Sequence, residues 1–322
     1  MVKKDETRYV LKVSEILHED ENLDSALKDL NALQKLKGKQ YVVQLIDHTV
    51  MEETIQLNEG TKKKKKILAI LQYGSQGTLY DFLGKNGWHY FFDSQKLLIL
   101  AQKIMIGLRN IHEQNIVHSD IKPDNIVIDE AGDPLLIDFG FSQKKNEEGA
   151  IKGPENFKDI RAFANPKVAQ VNEFMDTYPL GVMLYMFSQG KLPFEVDDFR
   201  LNFFNNAEVL NTHLYDFKVG TSLHLINIIH GCLRFDVTKR IPLDALLAMT
   251  TEALESKDLK PILEVNIAFN NQDLADADSQ NNKIEELADN SQKKKEAVKI
   301  KYDIDGTIKK HPEIFTNPLV LI

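Results

Sequence analysis

An α+β fold is predicted by three features of the chain. Strand-like apolar runs crowd the first eighty of its 322 residues, helical periodicities dominate from about residue 94, and the two kinds do not alternate as βαβ units would. The length is enough for one large or two modest domains with a substantial core. A net charge of −8 argues against a general nucleic-acid binder, because affinity for a phosphate backbone comes from Lys and Arg. Cys232 is the only cysteine, so neither an intramolecular disulfide nor a cysteine zinc cluster can form. MVKKDETRYV has no apolar stretch behind its charged start and does not read as a secretory signal. KLLILAQKIMIGL is too short and too interrupted to span a bilayer. A soluble, intracellular protein of the cytoplasm or nucleus, without a membrane partner, is expected.

Taken in order, RYVLKV (8–13) is a short β-rich run. LDSALKDLNALQKL (23–36) sets Leu23, Leu27, Leu30, Leu33 and Leu36 at helical spacings on one stripe. YVVQLIDHTV (41–50) and ILAILQY (67–73) read as strands, with TKKKKK (61–66) expected as a solvated hairpin tip between them. DSQKLLILAQKIMIGLRNIHEQ has the polar start and apolar period of a long helix. NIVIDE and PLLIDF flank AGDP and predict a small hairpin. Helical patterns return in 177–190, 223–235 and 243–249. After about residue 255 the chain becomes polar and Asn/Gln-rich, as an appended tail or partly ordered helices would be.

Two motifs carry chemistry. Phosphoryl transfer from a nucleotide needs a cation on the phosphates, metal ligands and a carboxylate to orient the attacking hydroxyl. HSDIKPDN (118–125) can supply Asp120 to accept the hydroxyl proton, Lys122 to neutralise the transferring group and Asn125 to bind a metal. In IDFG, Asp138 can hold the other metal position, oxygen donors being what Mg²⁺ requires.

At these residues the sequence resembles the eukaryotic protein kinases, over roughly residues 7–250. The resemblance implies a bilobal fold, a small antiparallel-sheet lobe (1–73, truncated) and a large helical lobe (74–250), followed by a polar C-terminal extension (251–322). It implies ATP and Mg²⁺ as cofactors and a protein substrate. Lys12 takes the place of the lysine that grips the α- and β-phosphates. LQYGSQGTLYDFL (71–83) looks like the hinge, with Leu71 as gatekeeper and the Gln72–Tyr73 backbone facing the adenine. Asp176 matches the aspartate that braces the catalytic loop, and GKLPF and FDVTKR match later landmarks that end in Arg240. LDSALKDLNALQKL and the HSD form also resemble the spindle-checkpoint kinases of the monopolar-spindle group.

The sequence departs from the family in three places. Only MVKKDET precedes RYVLKV and it has no glycine, so the Gly-rich strand pair that roofs the phosphates does not fit. The lysine strand is then expected as an uncovered sheet edge, an aggregation liability. An incomplete gene product, a partner segment over that edge, or an absent roof with weak nucleotide binding would each account for it. Second, the helix residue due to pair with Lys12 falls at Asp29, about 1.5 Å shorter in reach than Glu, and Val10 replaces a small alanine at the adenine. Third, the activation segment (141–167) has Ser142 as its one hydroxyl, while Ser119 replaces the arginine that answers a phosphate there. Regulation by phosphorylation of this segment is therefore not expected. Lys167 stands where a carboxylate should meet Arg240, and Ile160 where a threonine should bridge Asp120 and Lys122.

Several features have plain readings. YDIDGTI (302–308) matches a phosphatase nucleophile motif but lacks the surrounding domain, and reads as a turn. His112, His118 and Cys232 read as packing residues, and WHYFF (88–92) as core. The leading expectation is a Ser/Thr protein kinase, with Lys122 two residues after Asp120 giving the Ser/Thr preference. The competing one is a pseudokinase scaffold, and a third is a kinase acting on a small molecule.

Overall fold

The structure, a computed structural model, describes residues 2–4, 7–17, 21–57, 60–154, 156–159, 169–193, 215–234, 237–256 and 266–267. Its small lobe is an antiparallel sheet in the order β1-β2-β4-β3, formed by β1 (Val2–Lys4), β2 (Thr7–Leu17), β3 (Leu45–Leu57) and β4 (Gly60–Gln72). Two expectations change here. The lysine strand is not bare along its whole length: β1 pairs with it, from Val2 opposite Tyr9 to Lys4 opposite Thr7. Three residues suffice for that short ladder, although among the described residues no strand flanks β2 on this side beyond Tyr9.

The lysine run also lies inside β4 rather than at a hairpin tip, the ladder with β3 continuing past it to Leu57 opposite Gly60. In the register Lys65 stands opposite Glu52 of β3 and Lys66 opposite Glu15 of β2.

Helix α1 (Glu21–Lys35) carries the leucine stripe, with Leu30 and Leu33 buried and Leu36 buried just beyond its end. The chain leaves the sheet at Gln72 and crosses to the large lobe through Tyr73–Gly77. A Cβ on Gly74 would lie 2.6 Å from Val127 Cβ, so only glycine lets this linker rest on β6 (Ile126–Ile128). α2 (Leu79–Asn86) follows, started by a capping box in which Thr78 and Asp81 exchange hydrogen bonds with each other's backbone N–H groups. In the turn Trp88–Phe92, Phe91 is buried and stacks on Phe187 at 5.6 Å.

α3 (Ser94–His112) is capped by Asp93, whose carboxylate accepts from the Gln95 and Lys96 N–H groups. It packs against α6 (Leu243–Glu255), which runs past residue 250. α4 (Phe174–Gln189) is buried on every side from Met175 to Gln189, and α5 (Leu223–Leu233) lies against it. β6 and β7 (Pro134–Leu136) form the hairpin that AGDP predicts. One continuous core joins Leu33 and Leu71 of the small lobe to Leu136 and Tyr178 of the large one. No helix among the described residues is long and apolar enough to cross a membrane. Ile160, Lys167, YDIDGTI and all of the polar extension except a few residues at its start and Asn266–Ile267 lie outside the described residues.

Candidate active site

The catalytic-loop motif begins just after β5 (Ile116–Val117), where the backbone makes a turn that L-residues resist: Ser119 has φ 67°. Asp176, at the start of α4, holds that turn. Its carboxylate accepts from the N–H groups of His118 (2.9 Å) and Ser119 (2.7 Å), and lies 2.7 Å from His112 Nε2. Burial pushes the Asp176 carboxyl upward, but the His112 hydrogen bond, the two imidazoles and the Ser119 N–H outweigh it and hold it below the usual carboxylate value. His118 packs beneath the loop, with Nε2 2.9 Å from the Ile137 carbonyl and its ring 4.9 Å from that of Phe139.

The turn delivers Asp120 to a buried position. Its Oδ2 accepts from Asn125 Nδ2 at 2.6 Å and lies 2.9 Å from Lys122 Nζ. Asp120 Oδ1 is buried and has no hydrogen-bond partner among the described residues. An acceptor left bare in this way is costly unless something outside the chain donates to it.

Across the cleft, β2 presents Lys12, whose Nζ is 2.9 Å from Asp29 Oδ2 and 3.3 Å from Asp138 Oδ1. The shorter aspartate therefore reaches the lysine. Its other oxygen accepts from the Phe139 N–H at 2.8 Å, and Ser25 Oγ, one turn earlier on α1, donates to the Gly140 carbonyl at 3.1 Å. These bonds tie α1 to β2 and to the Asp138 loop. Burial disfavours the Lys12 ammonium, but Asp29 and Asp138 more than offset it and raise the pKa. Burial likewise opposes ionisation of Asp138, and Lys12, its hydrogen bond, His118 and the Gly140 N–H reverse it, holding the carboxyl low.

At the back of the cleft Leu71 is buried, with Val10 opposite it in the register. Gln72 ends β4, its N–H donating to the Gln44 carbonyl at 2.9 Å, and Tyr73 opens the linker. The structure thus brings Lys12, Asp29 and Asp138 into one ionic group and Asp120, Lys122 and Asn125 into another. Leu71, Gln72 and Tyr73 lie where the sheet meets the linker.

These donors suit a magnesium nucleotide. Asp138 is 41% exposed, and among the described residues no cluster of three His, Cys, Asp or Glu could form an all-protein cage. Mg²⁺ commonly takes one or two protein oxygens and completes its shell with phosphates and water. Asp138 and the Asn125 side-chain carbonyl are such oxygens.

Arg240 is answered by a carboxylate that the sequence reading did not assign to it: Asp159 grips its guanidinium through both oxygens, with Nη2 3.0 Å from Oδ1. Both side chains are fully buried, and Arg240 also lies 4.6 Å over the Tyr178 ring. Asp159 and Ser25 are the site residues that sequence reasoning missed. A usable signal for Asp159 was its place among the few acids of the activation segment, given an arginine that had to be answered.

Residues 1–254 match the Protein kinase domain family. The chain belongs to the protein kinase family. The sheet and helical parts are accordingly the small and large lobes of a kinase domain. The chain is 28% identical over 224 residues to the serine/threonine-protein kinase stk11 homolog of Dictyostelium discoideum, covering 68% of this chain and 36% of that protein. It is 30% identical over 209 residues to the probable serine/threonine-protein kinase mkcD of the same organism, with 63% and 31% coverage. Testis-specific serine/threonine-protein kinase 2 of Mus musculus is 24% identical over 215 residues, 64% of this chain and 58% of that protein. The kinase domain thus matches about a third of the length of the first two relatives.

Proposed function

We propose that this kinase domain transfers the γ-phosphate of ATP to serine or threonine hydroxyls of protein substrates. The observation that carries the reading is the position of Lys12 between Asp29 and Asp138, which joins α1, β2 and the Asp138 loop in one ionic group. Names of the matched relatives as serine/threonine-protein kinases support the reaction class, as does Lys122 two residues after Asp120.

When bound, ATP–Mg²⁺ supplies the phosphoryl group and a metal that neutralises its charge. Within the chain, Lys12 binds phosphate oxygens, with Asp29 fixing its ammonium. Asp138 and Asn125 offer the metal their oxygens. Asp120 orients the substrate hydroxyl through Oδ1, the oxygen without a donor among the described residues, and takes its proton. Lys122, 2.9 Å from the other oxygen, screens charge that builds beside the base. Leu71 with the Gln72–Tyr73 backbone bounds the base-binding end.

A scaffold reading is favoured by one specific feature: β1, the strand paired with the lysine strand, has no glycine. The test is γ-phosphate transfer from ATP–Mg²⁺ to a generic protein substrate, with Asp120→Asn and Lys12→Met as controls. Asp120→Asn is expected to lose on the order of 100-fold or more in rate. A folded wild-type chain with no transfer above the Asp120→Asn level would replace the enzyme by the scaffold.

A further inference from the structure

The described part of the activation segment, 141–154 and 156–159, presents no hydroxyl to be phosphorylated at its surface. Its only hydroxyl, Ser142, is buried. What fastens it is the next residue. Gln143 opens β8 (Gln143–Lys144), which pairs with β5 so that Gln143 stands opposite Val117, two residues before Ser119. Its Nε2 donates to Ser119 Oγ at 2.9 Å and to the Ala150 carbonyl at 2.8 Å, and its Oε1 accepts from the Ala150 N–H at 3.2 Å. Both amide hydrogens and the amide oxygen are thereby used.

The surroundings fit the side chain closely. A Cβ on Gly149 would run into Gln143 Oε1, so glycine is needed for the amide to lie flat on the strand pair β9 (Glu148–Gly149) and β10 (Ala169–Gln170). Beside Ala150, Ile151 is buried with Val117, Val171 and Met175 in a small core of its own. Asn146 N–H donates to the Val171 carbonyl at 2.8 Å, and the Val171 N–H to Glu147 at 2.9 Å. Downstream the segment returns to the site: Gly153, at φ 101°, passes so near the catalytic loop that a Cβ there would lie 3.4 Å from the Ser119 carbonyl and 3.8 Å from Asp120 Oδ1.

Ser119 is 3% exposed. A cation enclosed there would need an anion to repay its desolvation, whereas a hydroxyl and a carboxamide satisfy each other uncharged. We propose that Gln143 is a positioning residue whose carboxamide clasps the activation segment to the catalytic loop at Ser119 and sets Gly153 beside Asp120 without any covalent charge. The inference rests on the kinase reading for its catalytic consequence, but not for the clasp itself.

The full chain, treated with phosphatase, is compared by amide hydrogen exchange with Gln143→Ala and with Ser119→Gly, the second chosen because glycine accepts the φ of that position. Residues 144–153 are expected to exchange about ten-fold faster in Gln143→Ala, with a smaller rise in the same segment for Ser119→Gly, while α3 and α4 keep their protection. In transfer assays Gln143→Ala lowers kcat on the order of ten-fold and leaves KM for ATP within about two-fold, the signature of a misplaced site rather than lost nucleotide binding. Phosphatase leaves the wild-type rate and protection unchanged. Unaltered exchange at 144–153 in both variants, loosening spread evenly through the large lobe, or wild-type protection removed by phosphatase would each overturn the clasp. A wild-type chain without transfer defeats the kinase reading alone, since exchange still decides the clasp.

Discussion

Asp29 and Asp159 show how single carboxylates set the geometry of this domain. Asp29 uses one oxygen for Lys12 and the other for the Phe139 N–H. It was legible in the sequence because the leucine stripe fixes which face of α1 looks inward. Asp159 was less so, because only its place among the few acids of the activation segment pointed to an arginine 81 residues away. Their pairing makes a sharp prediction. Asp159→Asn strands a guanidinium that is fully buried, and is expected to cost about 3–5 kcal/mol of stability by urea denaturation. The joint change Asp159→Leu with Arg240→Met removes both charges and is expected to cost clearly less than Asp159→Asn alone. Equal losses in the single and joint variants would mean that packing, not charge, sets the value of the pair.

At the scale of elements, length and closeness of approach were the least legible. Lysines hid the continuation of β4, because composition reports solvation while the ladder depends on what stands opposite. The capping box of α2, Thr78 to Asp81, is plain in the letters, yet reading 71–83 as a hinge absorbed it. α4 and α5 meet where side chains nearly vanish: a Cβ on Gly181 would run into Cys232 and lie 3.0 Å from Leu233 Cδ2. Gly181→Ala is therefore expected to destabilise by about 1–3 kcal/mol through overpacking, against the roughly 1 kcal/mol that alanine brings to a helix interior. Melting temperature reads the net sign, and a stabilised variant would refute the close contact. Burial pushes the Cys232 thiol up to about 12, although Arg240 pulls the other way. Iodoacetamide at pH 8 should leave it untouched in the folded chain and label it in urea.

Across the whole molecule, the lobes are held together by a core and by carboxylates that must be ionised, which ties stability to pH. Asp176 is wholly buried and its pKa is lowered, with the net gain coming from His112, His118 and the Ser119 N–H after burial is overcome. A carboxyl that binds its proton less readily when folded stabilises the folded state above its ordinary value of 3.8, and the gain is lost as pH falls below that value through the depressed one. Asp138 acts in the same direction, but at 41% exposure solvent screens much of its share. Asp124 opposes both. Burial, with Asp120 and Asp81 nearby, raises its pKa despite Lys122 and a backbone hydrogen bond, so protonating it on the way down in pH relieves the folded state. His230 works against the fold earlier: burial, with Arg234 nearby, holds its pKa well below 6.5, so stability is lost as pH falls below that value. The expected profile is a urea midpoint that declines below pH 6.5 and drops more steeply below 3.8, where Asp176 and Asp138 add to the loss. Asp176→Asn should lower the midpoint at neutral pH and flatten the acid drop, because the variant has no proton to take up at that position. A wild-type midpoint that shows no steeper drop below pH 3.8, or an Asp176→Asn chain with an unchanged slope there, would move the control of acid stability away from the aspartate that braces the catalytic loop.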